Sequence, residues 1–357
     1  MRGGRSPLAA RDDLSIVEPY VSPQIPARYR MNTNESPYPP PPELMADVAR
    51  RVAAAELNRY PPRDADALLD SLASHTGRSR DSIWVANGSN EVFLHLFLAF
   101  GGHGRKALVF TPTYSLHVLI PQIAGTRVIE VARAEDFSID IDAAASTIAR
   151  ERPEVVIVCS PNNPTALSEP RVAVEELAGI APGLVVVDEA YGEFAPAEAS
   201  VVSLLDGHDN LLVTKTLSKA WRLAGVRVGY LLGPPEIIAE LYRVRLPYHL
   251  STFTQLAAEA MLERTEDALV HVEAIKTERD RMSLELQAMG LRTHPSDANF
   301  VLFEVDDARA VWDALLARGV LVRNYSEVTG LHDCLRVTAG LPEESEAFLA
   351  AMREVLA

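Results

Sequence analysis

From residue 83 the chain alternates short β-branched and aliphatic runs with longer amphipathic ones. The short runs are IWVA, ALVF, RVIEVA, VVIVCS, LVVVDEA, LLVTKT and VRVGYLL. Runs this apolar on both faces suit strands covered by helices above and below, so they predict an α/β fold built on a mostly parallel sheet. In such sheets, ligands gather at the strand ends. At 357 residues the chain has room for this domain and a smaller companion.

Two shifts mark the boundaries. SPYPPPPELMADVARR places a proline cluster before a helical pattern, which reads as an extended arm over residues 1–42 that joins the smaller domain. The large domain then spans 43–250. After RLPYHLSTFTQ a helical stretch runs to residue 289, followed by the strand-like pieces NFVLFEV, GVLVRN and CLRVTAG, which predict a small α+β domain over 251–357.

Composition narrows the function classes. With 49 acidic against 34 basic residues and a net charge of −15, the chain lacks the basic face that nucleic acid or an anionic membrane requires. Cys159 and Cys334 are far apart and without metal-ligand spacing, so neither a disulfide framework nor a metal site is expected, and the cytoplasm fits. No apolar run is long enough to cross a bilayer, and the opening MRGGRSPLAARDDL has arginines but no apolar signal core, reading as a loose start.

The stretch TLSKAWRLAGVRVGY sets Lys219 between small hydroxyl residues and an apolar run. Shielding shifts a lysine toward its neutral amine, which can attack an aldehyde or ketone; the competing reading is a lysine that snorkels from a strand edge. LVVVDEAYGEF ends a buried strand on Asp188, whose desolvation demands a partner. A nucleotide hydrolase would need a G-x-x-x-x-G-K-[ST] loop, and the chain has no Gly-Lys dipeptide. GHGRKA loosely matches a dinucleotide fingerprint, but it follows a helix and precedes a strand, the reverse of the required context.

VANGSNEVFLHLFLAF passes from a strand through Gly88, Ser89 and Asn90 into a helix, which suits either a phosphate seat or a capped helix start. VCSPNNPTALSEP presents Asn163 just beyond another strand. Ser89, Asn163, Asp188, Lys219 and Arg227 thus fall at the ends of separate strands of one sheet. Together they supply an amine, a carboxylate, an amide and phosphate ligands, the groups that hold pyridoxal 5'-phosphate.

These residues bring a resemblance into view. The pieces TNESPY, NRYP, NGSNE, PTYS, SPNNPT, VDEAYGEF, TLSKAW with the later Arg227, VRLPYHLS, SDANFVLF and CLRVTAG follow the order and spacing of the fold type I pyridoxal-phosphate aminotransferases, and are most similar to the histidinol-phosphate branch. The resemblance implies that Lys219 binds the cofactor covalently and acts as base and acid, and that Asp188 faces the pyridine nitrogen. It also implies that Asn163 and Tyr191 bond the ring oxygen, and that Tyr114 stacks on the ring. Gly88, Ser89, Asn90, Thr216, Ser218 and Arg227 would hold the phosphate, and Tyr60 would reach the neighbouring subunit's phosphate, which requires a homodimer. Arg336 would bind the substrate's polar end, while Tyr20, Asn34 and Arg323 would form the substrate pocket, with Arg323 on its phosphate.

The implied reaction is transfer between histidinol phosphate or imidazole-acetol phosphate and glutamate or 2-oxoglutarate. An aromatic amino acid aminotransferase and a threonine-phosphate decarboxylase of the same fold are the alternatives. A regulator that kept the fold without its chemistry would be expected to lose the lysine or the aspartate, and both are present. Ala166, Trp221 and Ser36 depart from the family's commoner residues, without touching the cofactor's essential partners.

Overall fold

The computed structural model describes residues 11–20 and 23–357; the opening stretch 1–10 and residues 21–22 lie outside the described residues. The strands are β1 (Tyr29–Arg30), β2 (Ile83–Ala86), β3 (Lys106–Thr111), β4 (Arg127–Ala132), β5 (Val155–Cys159) and β6 (Leu184–Asp188). They continue as β7 (Leu211–Thr216), β8 (Gly229–Leu232), β9 (Phe300–Glu304), β10 (Val320–Leu321), β11 (Arg323–Asn324) and β12 (Cys334–Thr338). The strands from β2 through β8 form a seven-stranded sheet in the order β2-β8-β7-β6-β5-β3-β4. Only β8 runs against its neighbours, pairing antiparallel with both β2 and β7.

The two-sided burial that the sequence implies is literal. Leu108, Phe110, Val156, Val158, Val185, Val187 and Val213 pack on one side, with Ala144, Ile148, Val174 and Leu177 of the Ile141–Glu151 and Arg171–Ile180 helices. The intervening residues Val109, Val155, Ile157, Val186 and Leu212 pack on the other. Their partners there are Val92, Phe93, Leu96 and Phe97 of the Ser89–Phe100 helix. Each fully buried aliphatic or aromatic side chain contributes about 1.5–3 kcal/mol relative to exposure, so the sheet is a rigid floor for anything at its edge.

Strands β11, β12 and β9 form an antiparallel three-stranded sheet. Two segments differ from the sequence reading. The run GVLVRN divides: Val320–Leu321 pairs in parallel with Tyr29–Arg30 of the arm, and Arg323–Asn324 turns to pair with β12. The long helical stretch is three helices, Thr252–Leu262, Thr265–Leu269 and Val272–Ala288, broken at Glu263–Arg264 and Val270–His271.

Candidate active site

The strand order lays out a site along one sheet edge. Ser89 and Asn90 follow β2, and Ser218 and Lys219 follow β7; between those strands lies β8, which is entered through Arg227. Because β8 is reversed, its start lies at the same edge as the ends of its neighbours. Asp188 ends β6, Asn163 follows β5 and Tyr114 follows β3, so anion-binding groups collect on one side of Lys219 and ring-facing groups on the other. All of these line one cavity of about 280 Å³ together with Tyr20, Asn34, Tyr191, Thr216, Arg323 and Arg336.

At the anion end, Thr216 Oγ1 donates to Ser218 Oγ (3.0 Å), and Arg227 Nη1 lies 3.3 Å from the same oxygen. Gly88 does not line the cavity, yet it shapes it. A Cβ there would come within 2.6 Å of Arg227 Nη2, and its φ of 82° is one that glycine adopts freely. A Cβ on Gly229 would lie 2.2 Å from the Ser89 nitrogen, so β8 can press against the start of the Ser89–Phe100 helix only as glycine. The helix start, two hydroxyls and a guanidinium together suit a phosphate.

Lys219 Nζ donates to the Thr33 carbonyl (3.0 Å). Burial, reinforced by the Arg336 cation, pulls its pKa down to about 8. Asp188 accepts at one oxygen from the Ala190 N–H (3.2 Å) and meets buried His117 at the other (Nε2 to Oδ2, 2.9 Å). Neighbouring Glu189 points the opposite way, into a buried pair with Lys215 (3.0 Å). Tyr191 accepts from Asn34 Nδ2 (2.9 Å), and burial raises its phenol, so its own proton stays available to donate. Burial also keeps the Tyr114 phenol protonated.

Arg336 binds three partners: Nη1 donates to Asn163 Oδ1 and to the Tyr325 hydroxyl (2.9 Å), and Nη2 to the Asn32 carbonyl (2.7 Å). With its oxygen held by an arginine, Asn163 has its Nδ2 left as a donor. Arg323 stands directly across the strand pair from Arg336. Tyr20 is exposed at the rim, lining this cavity and a larger neighbouring one.

Tyr60 is apart from the cavity: it is 79% exposed and stacks on Tyr248, with ring centroids 4.5 Å apart. His117 escaped the sequence reading, although a histidine three residues past Tyr114 among apolar neighbours was the available signal. Among the described residues His117, Cys159 and Asp188 form a group with metal-ligand chemistry. Burial pushes the Cys159 thiol up and keeps it neutral, so this trio reads as the packing around the carboxylate. Ala166, where glycine is commoner, is fully buried at φ 66°. That left-handed backbone costs an L-residue about 1–2 kcal/mol, which accounts for the family's glycine. Trp221 is buried edge-on to His75, and Ser36 caps its own turn by accepting from the Tyr38 N–H.

A mostly parallel sheet whose edge carries a shielded lysine, a paired carboxylate and a phosphate cradle defines a fold type I pyridoxal-phosphate enzyme. The chain belongs to the aminotransferase class I and II family, which it matches over residues 29–352. It is 48% identical to the histidinol-phosphate aminotransferase of Frankia casuarinae, over 98% of this chain and 90% of that protein. It is 47% identical to the histidinol-phosphate aminotransferase of Mycolicibacterium smegmatis, over 98% and 93%. Among solved structures, histidinol-phosphate aminotransferase from Sinorhizobium meliloti in complex with pyridoxal-5'-phosphate superposes with a TM-score of 0.88 at 26% identity, over 97% of this chain and 96% of that one.

Proposed function

We propose that this enzyme transfers the amino group between histidinol phosphate and 2-oxoglutarate, a step of histidine biosynthesis, with pyridoxal 5'-phosphate as cofactor. The observation that carries the reading is the pair of cross-strand arginines, Arg323 and Arg336, that shares a cavity with Lys219, Asp188 and a phosphate cradle. Like charges directly opposite on a strand pair are destabilising, so two cations there suit a site that receives anionic substrates.

When bound, the cofactor supplies an aldehyde carbon for amines and a protonated pyridine ring that accepts electrons. The protein does the rest. Lys219, whose lowered pKa of about 8 puts a usable share of neutral amine within reach near physiological pH, would attach the cofactor and, once released, would carry the proton as base and acid. Asp188, oriented by His117, would keep the ring nitrogen protonated. Asn163 Nδ2 and the Tyr191 hydroxyl would donate to the ring oxygen, and Tyr114 would cover the ring face. Ser89, Asn90, Thr216, Ser218 and Arg227 would anchor the phosphate, with Gly88 leaving the space that Arg227 occupies. At the open end Tyr20, Asn34 and Arg323 receive the substrate's side chain and phosphate, and Arg336 takes glutamate's α-carboxylate. The arm through residue 42, a cofactor-binding unit to residue 250 and a smaller unit beyond it enclose the site in this reading.

Arg323→Ala is expected to lower kcat/KM for histidinol phosphate by about 100-fold, the upper range for one charged hydrogen bond, while histidinol loses little and the cofactor remains bound. Equal losses on both amines would remove Arg323 from the phosphate pocket.

The working unit is a homodimer in which Tyr60 reaches the partner's phosphate. Its support is the exposed Tyr60, stacked on Tyr248, with Leu246 and Phe253 also exposed close to Tyr248 in the chain. Mixing Lys219→Ala with Tyr60→Phe subunits should yield hybrids with one site carrying both lesions and one carrying neither. Activity no higher than the sum of the parents, despite proven exchange, would count against shared sites. Among the described residues no helix is long and apolar enough to cross a membrane. Two buried free cysteines, Cys159 and Cys334, suit a cytoplasmic setting.

A further inference from the structure

Arg323 and Arg336 lie opposite each other on β11 and β12, and both face the cavity. Two guanidinium groups in that register repel each other. Tyr325 stands where it can counter this. It follows Arg323 by two residues on an extended chain and therefore shares its face, and its N–H continues the strand pairing by donating to the Cys334 carbonyl (3.1 Å). Its ring centroid lies 5.9 Å from the Arg323 guanidinium carbon and 5.6 Å from that of Arg336. Its hydroxyl accepts from Arg336 Nη1 at 2.9 Å.

One neutral side chain thus offers a π face to both cations and an acceptor to one of them. The ring is itself fixed, packed against the cluster of Phe137, Leu302, Leu331 and Cys334.

We infer that Tyr325 is a positioning residue that sets Arg323 and Arg336 as a single two-pronged receptor for the anionic groups of both substrates. The inference rests on the proposed reaction and adds a residue to it. Tyr325 acts through ground-state orientation of the arginines, so its loss falls on KM. A purely structural role would lower stability or kcat instead.

The test is steady-state kinetics on the holoenzyme. Tyr325→Phe keeps the ring and removes the acceptor, so KM for glutamate, the Arg336 substrate, should rise about tenfold, as expected for one hydrogen bond to a charged group, with kcat changed less than about threefold. Tyr325→Leu removes the ring as well, and KM for histidinol phosphate should then rise by a similar factor. Unchanged KM values in Tyr325→Phe, or a fall in kcat at constant KM, would overturn the assignment. Should Tyr325→Leu fail to fold, the isosteric Tyr325→Phe decides alone. Failure of the proposed reaction would be seen separately, in the unmodified enzyme, as no preference for the phosphorylated amine; the glutamate arm still tests Tyr325.

Discussion

Lys219→Ala is expected to abolish turnover, a loss of about 10⁴-fold or more, while the protein stays folded and still binds the cofactor without a covalent bond. Among the described residues the amine makes one hydrogen bond, to the Thr33 carbonyl, so its removal costs little structure. The contacts among Thr216, Ser218 and Arg227, proposed to hold the phosphate, do not depend on it. Chemistry does depend on it, because among the described residues no other lysine lines the cavity. The wild-type protein should also show the lysine's character directly. Covalent attachment needs the neutral amine, so the attachment rate should rise with pH, reach half its maximum near the shifted value of about 8 and level off above it. A lysine at the ordinary 10.5 would keep accelerating well beyond that. Borohydride reduction of loaded protein should place the cofactor on Lys219. An adduct on another lysine, or activity in Lys219→Ala above about one part in 10³ of wild type, would reject the assignment.

Asp188→Asn should bind cofactor and lose about 10³-fold in kcat. A carboxylate about 4 Å from a ring cation contributes about 4 kcal/mol at an effective dielectric of 20, and that charge is what keeps the ring an electron acceptor. An amide preserves the shape and can still meet His117 Nε2, so the variant isolates charge from packing. The loss should fall on kcat, with the cofactor retained through its phosphate. A decrease smaller than about tenfold would show that the ring does not need this charge.

The sheet was legible because its strands are buried on both faces and so announce themselves as apolar runs; Val155–Cys159 is buried at every position. The candidate site was legible to the extent that its groups sit at the ends of such strands, as Asp188 and Asn163 do. What the sequence hid depends on pairing across long separations or on backbone states that residue type does not reveal. VRVGYLL reads as one strand, but Arg227 adopts a left-handed φ of 63°, and the strand begins only at Gly229. Arginine has no preference for that conformation that a sequence could display. GVLVRN reads as one strand for the same reason, since its division depends on two partners, the arm and β12. His117 meets a carboxylate 71 residues away, and Tyr325 acquires its setting only once β11 lies beside β12.

The most direct measurement is a comparison of kcat/KM for histidinol phosphate, histidinol, phenylalanine and threonine phosphate in the unmodified holoenzyme, with 2-oxoglutarate as acceptor and carbon dioxide release followed in parallel. A pocket built around Arg323 offers the phosphate a charge-assisted contact that an amine lacking it cannot make, so histidinol phosphate should exceed histidinol and phenylalanine by about 100-fold or more, and threonine phosphate should release no carbon dioxide. Comparable efficiency on phenylalanine, or decarboxylation of threonine phosphate, would contradict amino transfer to and from histidinol phosphate as the function of this site.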